Sequence, residues 1–232
     1  MCKNRKIALI YRIAAFVICL FSILYRMDIF AGKFYSIPLL YYTIQIGLLD
    51  VILFGMLACK TLQAIKKKDC TVGYFPRLSA LALLCSMVVF LVFWFVLVPS
   101  ASSNVQDIDF ILSYKNIGIH LVIPVLVLLD YILFSQKGKL TKRDPWIFLI
   151  PLVVYFVQAT ILGFAGVNYR QTDINAGSEP LNFPYFFMDY YKTGWLVALY
   201  VPLITLFCLG MGYLLWFIDK RRNLRHARQS ER

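Results

Sequence analysis

Charge is scarce in this chain. Asp, Glu, Lys and Arg together make up 16% of its 232 residues, and the acidic share is the smaller, 12 against 24 basic. Histidine is scarcer still: there are two, His120 and His226. No C-x-x-C and no H-E-x-x-H occurs, so the sequence offers no ligand set for a metal, and neither metal nor cofactor is expected. The six cysteines form no disulfide framework. Cys19, Cys59, Cys85 and Cys208 fall within or at the ends of apolar blocks, and Cys2 and Cys70 fall in basic segments. No internal repeat is visible, which counts against the repeat architecture of most secondary transporters.

What the chain has in abundance is apolar residues, 60% of the total, with a mean hydropathy of +0.70. They come in long blocks, roughly 7–25, 36–59, 78–98, 117–134, 146–165 and 194–218. Each approaches the ~20 residues that a helix needs to cross a ~30 Å hydrocarbon core. The blocks are continuous and do not alternate with period two, which favours helices over a β-barrel. The first is longer than a signal-peptide core and lacks a small-residue cleavage site after it, so it reads as a span. The expected fold is an all-α membrane protein, one bundle of six transmembrane helices over residues 1–232.

Basic residues set the orientation. MCKNRK, KTLQAIKKKDCTVGYFPR, SQKGKLTKRD and the tail at 219–232, DKRRNLRHARQSER, are all basic, and the alternate loops are not. Six spans put every basic segment on one side, so both termini are expected to be cytoplasmic. The net charge of +12 then finds its partner in anionic lipid headgroups, and no nucleic acid is needed. The last outer loop, 166–193, ends in NFPYFFMDYY. Its aromatics suit an interfacial anchor, or a lid over a site at the outer face. Trp146 and Trp195 suit an aromatic belt.

Polar groups at membrane depth narrow the function. The second span, YYTIQIGLLDVILFGML at 41–57, carries Thr43, Gln45 and Asp50. Counted from Ser36, Thr43 lies about ten Å deep, and His120 lies roughly five Å into the fourth span. Both fall in the outer half, where a hydroxyl and an imidazole on neighbouring helices could meet. A neutral imidazole activates a hydroxyl for attack on an ester carbonyl and then protonates the leaving alcohol. Gln45 is turned about 200° from Thr43 and is a poor oxyanion donor on a regular helix. Tyr42 and Asn116 are the other nearby donors. Asp50 follows Thr43 by seven residues and should face into the bundle. Arg12 in the first span calls for a partner, Asp130 or Asp50, because an isolated charge there is costly. A proton path through these groups is the alternative.

The order of these pieces resembles a known family. YYTIQIGLL, then IHLVIPVLVLLDYILFSQKGKL, then RDPWIFLIPLVVYFVQATILGFAGV, then NFPYFFMD and GW is similar to the six-span family that includes the androgen-induced and androgen-dependent TFPI-regulating proteins, in its bacterial branch. The resemblance covers roughly residues 36 to 200. It implies an intramembrane hydrolase of fatty-acid esters of hydroxy fatty acids, or similar lipid esters drawn from the bilayer. It places the nucleophile on Thr43 and the base on His120, and implies the cytoplasmic membrane if the source is bacterial. Two positions depart from the bacterial pattern: Ile46 and Gly47 stand where small polar residues follow T-I-Q, and Phe186 stands in place of a proline. The competing expectations are a small transporter or lipid-binding protein relying on Asp50, Asp130 and Arg12, and a membrane scaffold without chemistry.

Overall fold

The computed structural model describes residues 4–68, 72, 74–101, 112–170 and 180–230. Among them there are helices and turns and no strand. Six helices are long and apolar enough to cross a membrane: α1 Arg5–Arg26, α2 Tyr42–Lys66, α3 Pro76–Leu97, α4 Tyr114–Leu133, α5 Asp144–Phe164 and α6 Gly194–Arg221. The protein is a multi-pass integral membrane protein. The basic tail prolongs α6 as far as Ser230. Cys2 and Cys70 lie outside the described residues; Cys19, Cys59, Cys85 and Cys208 are free thiols.

One boundary moves in a way that matters. The second span was expected to begin near Ser36. Instead Ile37–Leu40 makes a 3-10 turn around Pro38, Tyr41 is extended, and α2 starts at Tyr42. Proline fixes its own backbone and supplies no N–H, so an apolar run containing it need not be continuous helix. Thr43 is therefore in the first turn of α2, and His120 is further along α4 than Thr43 is along α2.

Helices α2 and α3 are central, with half of their spanning windows buried, whereas α6 has 11% buried. One core cluster joins α1 to α4 through Ile23, Phe54, Leu57, Leu83 and Val127. A second joins α2 and α3 to α5, α6 and the α5–α6 loop through Tyr42, Val88, Tyr155, Cys208, Phe183 and Met188. Leu199, Leu203, Leu206 and Phe207 of α6 are exposed, as a lipid-facing surface requires.

Arg12 and Asp130 meet inside the first cluster. Arg12 Nε donates to Asp130 Oδ1 at 2.8 Å and Nη2 to Oδ2 at 3.3 Å, with Nη1 donating to Thr61 Oγ1 at 2.6 Å. Asp50 is not the partner of Arg12; it accepts from Ser86 Oγ at 2.7 Å and is fully buried.

The α5–α6 loop is more than a surface anchor. Phe183 is buried in a notch opposite Gly163, where an added Cβ would lie 2.1 Å from the ring. The Tyr169 amide donates to the Leu181 carbonyl at 2.7 Å, and Tyr41 Oη donates to the Tyr169 carbonyl at 3.0 Å. Asp189 accepts from the amides of Tyr191 and Lys192. These ties hold the stretch around Tyr185 over the start of α2. The end of the bundle that carries this loop, opposite Arg5 and Arg221, is its distal end.

Candidate active site

His120 owes its setting to Pro124. In a regular helix the amide four residues on would bond the His120 carbonyl, but proline has no N–H and its ring crowds that carbonyl. The chain responds with a π-helical turn over Gly118–Val122. The displaced carbonyl accepts from the Trp94 indole at 3.3 Å. Trp94 belongs to a second π-helical turn, Phe93–Leu97, in α3. Phe93 of that turn stacks on the imidazole, with centroids 3.7 Å apart and planes 13° from parallel. Inserted π turns of this kind recur at functional sites because they re-aim a side chain.

The imidazole is oriented at both nitrogens. Nδ1 lies 3.1 Å from the Asn116 carbonyl, which can only accept, so Nδ1 carries the proton. Nε2 is then a lone pair, and it faces Thr43 Oγ1 at 3.4 Å. The hydroxyl and imidazole that the sequence placed on different helices are thus adjacent. The contact is longer than a tight hydrogen bond. His120 is 8% exposed.

Two cavities share this pair. An inner slot, narrow in this structure, is lined mainly by apolar side chains, among them Val88, Val92, Leu152, Phe156 and Ile204. A roomier distal vestibule, of about 370 Å³, is lined by more polar groups, including Arg26, Tyr41 and Asn116. Thr43, Phe93, Leu97, His120 and Tyr185 line both, so they form the common wall. Beside it, Thr43, Gly47, Asp50 and Ser86 line a crevice too narrow to hold a water molecule. The second carboxylate oxygen of Asp50 has no hydrogen-bond partner among the described residues.

The other expected residues fall elsewhere or take other tasks. Gln45 donates to the Leu39 carbonyl at 3.1 Å and to Gln158 Oε1 at 3.2 Å, tying the 3-10 turn to α5. Its amide is committed there and does not serve Thr43. Tyr42 is buried against Tyr155, with ring centroids 5.1 Å apart. Asn116 contributes its carbonyl to His120. Arg12 and Asp130 line neither cavity. Ile46 and Gly47 line the narrow crevice beside Thr43 and supply no hydrogen-bonding side chain to it.

Sequence reasoning missed Tyr185, Phe93 and Arg26. Tyr185 was within reach, because NFPYFFMD was a candidate lid, but only the Phe183 anchor fixes which aromatic meets Thr43. Among the described residues no group of three His, Cys, Asp or Glu side chains could hold a metal ion. A scan against protein-family models returns no match, and comparison with curated proteins and with solved structures returns none either.

Proposed function

We propose that the protein is an intramembrane hydrolase of lipid esters, with Thr43 as nucleophile and His120 as general base and acid. The observation that carries the reading is the Thr43 Oγ1 to His120 Nε2 contact at the wall between an apolar slot and a polar vestibule. His120 Nε2 takes the hydroxyl proton as Oγ1 attacks the ester carbonyl carbon. It returns that proton to the alkoxide as the acyl–oxygen bond breaks. Water repeats the cycle on the acyl-threonine and releases the fatty acid.

The acyl chain belongs in the inner slot, where burial of each CH₂ is worth about 0.8 kcal/mol. The alcohol half belongs in the vestibule. Arg26 lines that vestibule, which suits an ester whose alcohol half carries a carboxylate, such as a fatty-acid ester of a hydroxy fatty acid. With the basic segments at the cytoplasmic face, the distal end is the outer one, and substrate arrives from the outer leaflet. The transporter alternative relies on Asp50, Asp130 and Arg12; two of these, Arg12 and Asp130, pair with each other and line neither cavity.

The test uses purified protein in liposomes and a palmitoyl ester of hydroxystearate. Thr43→Ala and His120→Ala each abolish turnover while thermal unfolding stays near wild type. A fluorophosphonate probe labels wild type and not Thr43→Ala. Normal hydrolysis by His120→Ala overturns the mechanism.

A further inference from the structure

Nucleophile and base leave one demand unmet. Attack on the ester carbonyl creates a negative oxygen in a poorly hydrated site, and without donors aimed at it the barrier stays high. Gln45 does not supply them. Two other groups stand at the right place.

The first is the start of α2 itself. The opening amides of a helix have no acceptor within it, and Thr43 is the second residue of α2. The second is Tyr185. It lines both cavities together with Thr43 and His120. Hydrogen bonding from the Thr43 side chain, from Tyr155 and from the Thr43 backbone bears on its phenol. Its ring is held on three sides. Phe187 stacks at 5.1 Å and 7°, Tyr41 meets it edge-on at 6.1 Å, and Tyr155 packs at 6.2 Å. Two residues before it, Phe183 locks the loop into the Gly163 notch. A preorganised donor needs this kind of fixity, since a mobile phenol would spend its hydrogen bond on ordering itself.

We infer that Tyr185 is a catalytic residue of the proposed hydrolase, donating its O–H, alongside the Thr43 N–H, to the oxyanion of the tetrahedral intermediate. A carbonyl oxygen entering between the phenol and the first turn of α2 receives both donors. The alkyl chain of the acyl group then points into the inner slot and the leaving oxygen toward His120. No proton is transferred from Tyr185 at any step: it donates a hydrogen bond while charge is on the oxygen and relaxes when the carbonyl re-forms. Burial raises the Tyr185 phenol above its ordinary value, so it remains a neutral donor at working pH. The α2 amide end adds partial positive charge on the same side.

This inference rests on the Thr43–His120 reading, and the experiment separates the two. Wild type and Tyr185→Phe are compared in liposomes on the palmitoyl hydroxystearate ester and on its thionoester, in which the carbonyl oxygen is sulfur. Tyr185→Phe keeps the ring and its packing, which thermal unfolding verifies. The expected result is a fall in kcat of roughly 10²-fold on the oxygen ester with KM changed less than about threefold. Sulfur accepts hydrogen bonds poorly, so the thionoester loses much less on the same substitution, and the oxygen-to-sulfur rate ratio collapses. A purely structural role lowers both substrates alike, which overturns the inference. So does a kcat within about threefold of wild type on the oxygen ester while Thr43→Ala remains inactive. If wild type hydrolyses neither ester, or Thr43→Ala hydrolyses them, the hydrolase reading itself fails.

Discussion

Replacing Asp130 by leucine should unfold this protein far more readily, and restoring stability should require removing Arg12 as well. Arg12 is 0% exposed and Asp130 3% exposed, so neither charge has water to fall back on. Asp130→Leu removes both carboxylate contacts; among the contacts left to the guanidinium are the Thr61 hydroxyl and the Leu57 carbonyl, neutral acceptors at 2.6 and 3.5 Å, and the Phe134 ring at 5.7 Å. Breaking one side of such a pair costs about 3–5 kcal/mol, roughly two to four orders of magnitude in the folding equilibrium. Arg12→Leu should cost less, because a lone carboxyl can be neutralised by a proton and a lone guanidinium cannot. The double replacement removes both charges. Thr61 keeps its own acceptor, the Leu57 carbonyl at 2.7 Å, so no new buried donor is stranded. The double variant should therefore recover at least about 2 kcal/mol relative to the sum of the single losses. Equilibrium unfolding by SDS titration in mixed micelles, followed by far-ultraviolet circular dichroism, measures all three. Strict additivity, or a cost under about 1 kcal/mol for Asp130→Leu, refutes the reasoning. The same double variant should keep its Thr43-dependent hydrolysis; a function carried by Arg12 and Asp130 would be lost with them.

Two further expectations concern the distal end. Gly163→Ala places a methyl 2.1 Å from the Phe183 ring, which Phe164, Tyr190 and Tyr191 hem in at 5.3 to 5.6 Å. Overpacking of this kind costs about 1–3 kcal/mol, and kcat should fall because Tyr185 moves with the loop; an unchanged Tm with an unchanged kcat would show that the notch does not position it. Arg26→Gln should raise KM about tenfold or more for the ester with a free carboxylate, the loss expected for a charge-assisted hydrogen bond. The methyl ester of the same compound should shift less than about twofold, and equal shifts on the two substrates count against a carboxylate at Arg26.

Part of the site was legible from residue types alone. A hydroxyl, an imidazole, an arginine and two aspartates inside apolar blocks had to be satisfied or used. Arg12 with Asp130 was one of two pairings open to it, and packing chose between them: Asp50 lies against Ser86 of α3, so its partner is a hydroxyl. The start of α2 was not legible. Ile37–Leu40 is as apolar as the helix that follows, and hydropathy does not distinguish a 3-10 turn from the first turn of a span. Pro124 after His120 was visible, but the π turn it brings, the Trp94 indole that takes the freed carbonyl and the stacked Phe93 come from α3. No pattern within α4 reports a neighbour's side chain.

The sequence by itself determined six apolar helices and the segregation of basic residues to alternate connections, because transfer free energy and helix length act on each segment separately. It also fixed which polar groups are too costly to leave unpaired in such helices. Only the tertiary structure decided who meets whom: that Thr43, in the first turn of α2, faces Nε2 of an imidazole turned by Pro124 and held by Asn116, and that a loop locked at Gly163 brings Tyr185 to the same wall. These are contacts between segments far apart in the chain, set by packing that no local pattern encodes.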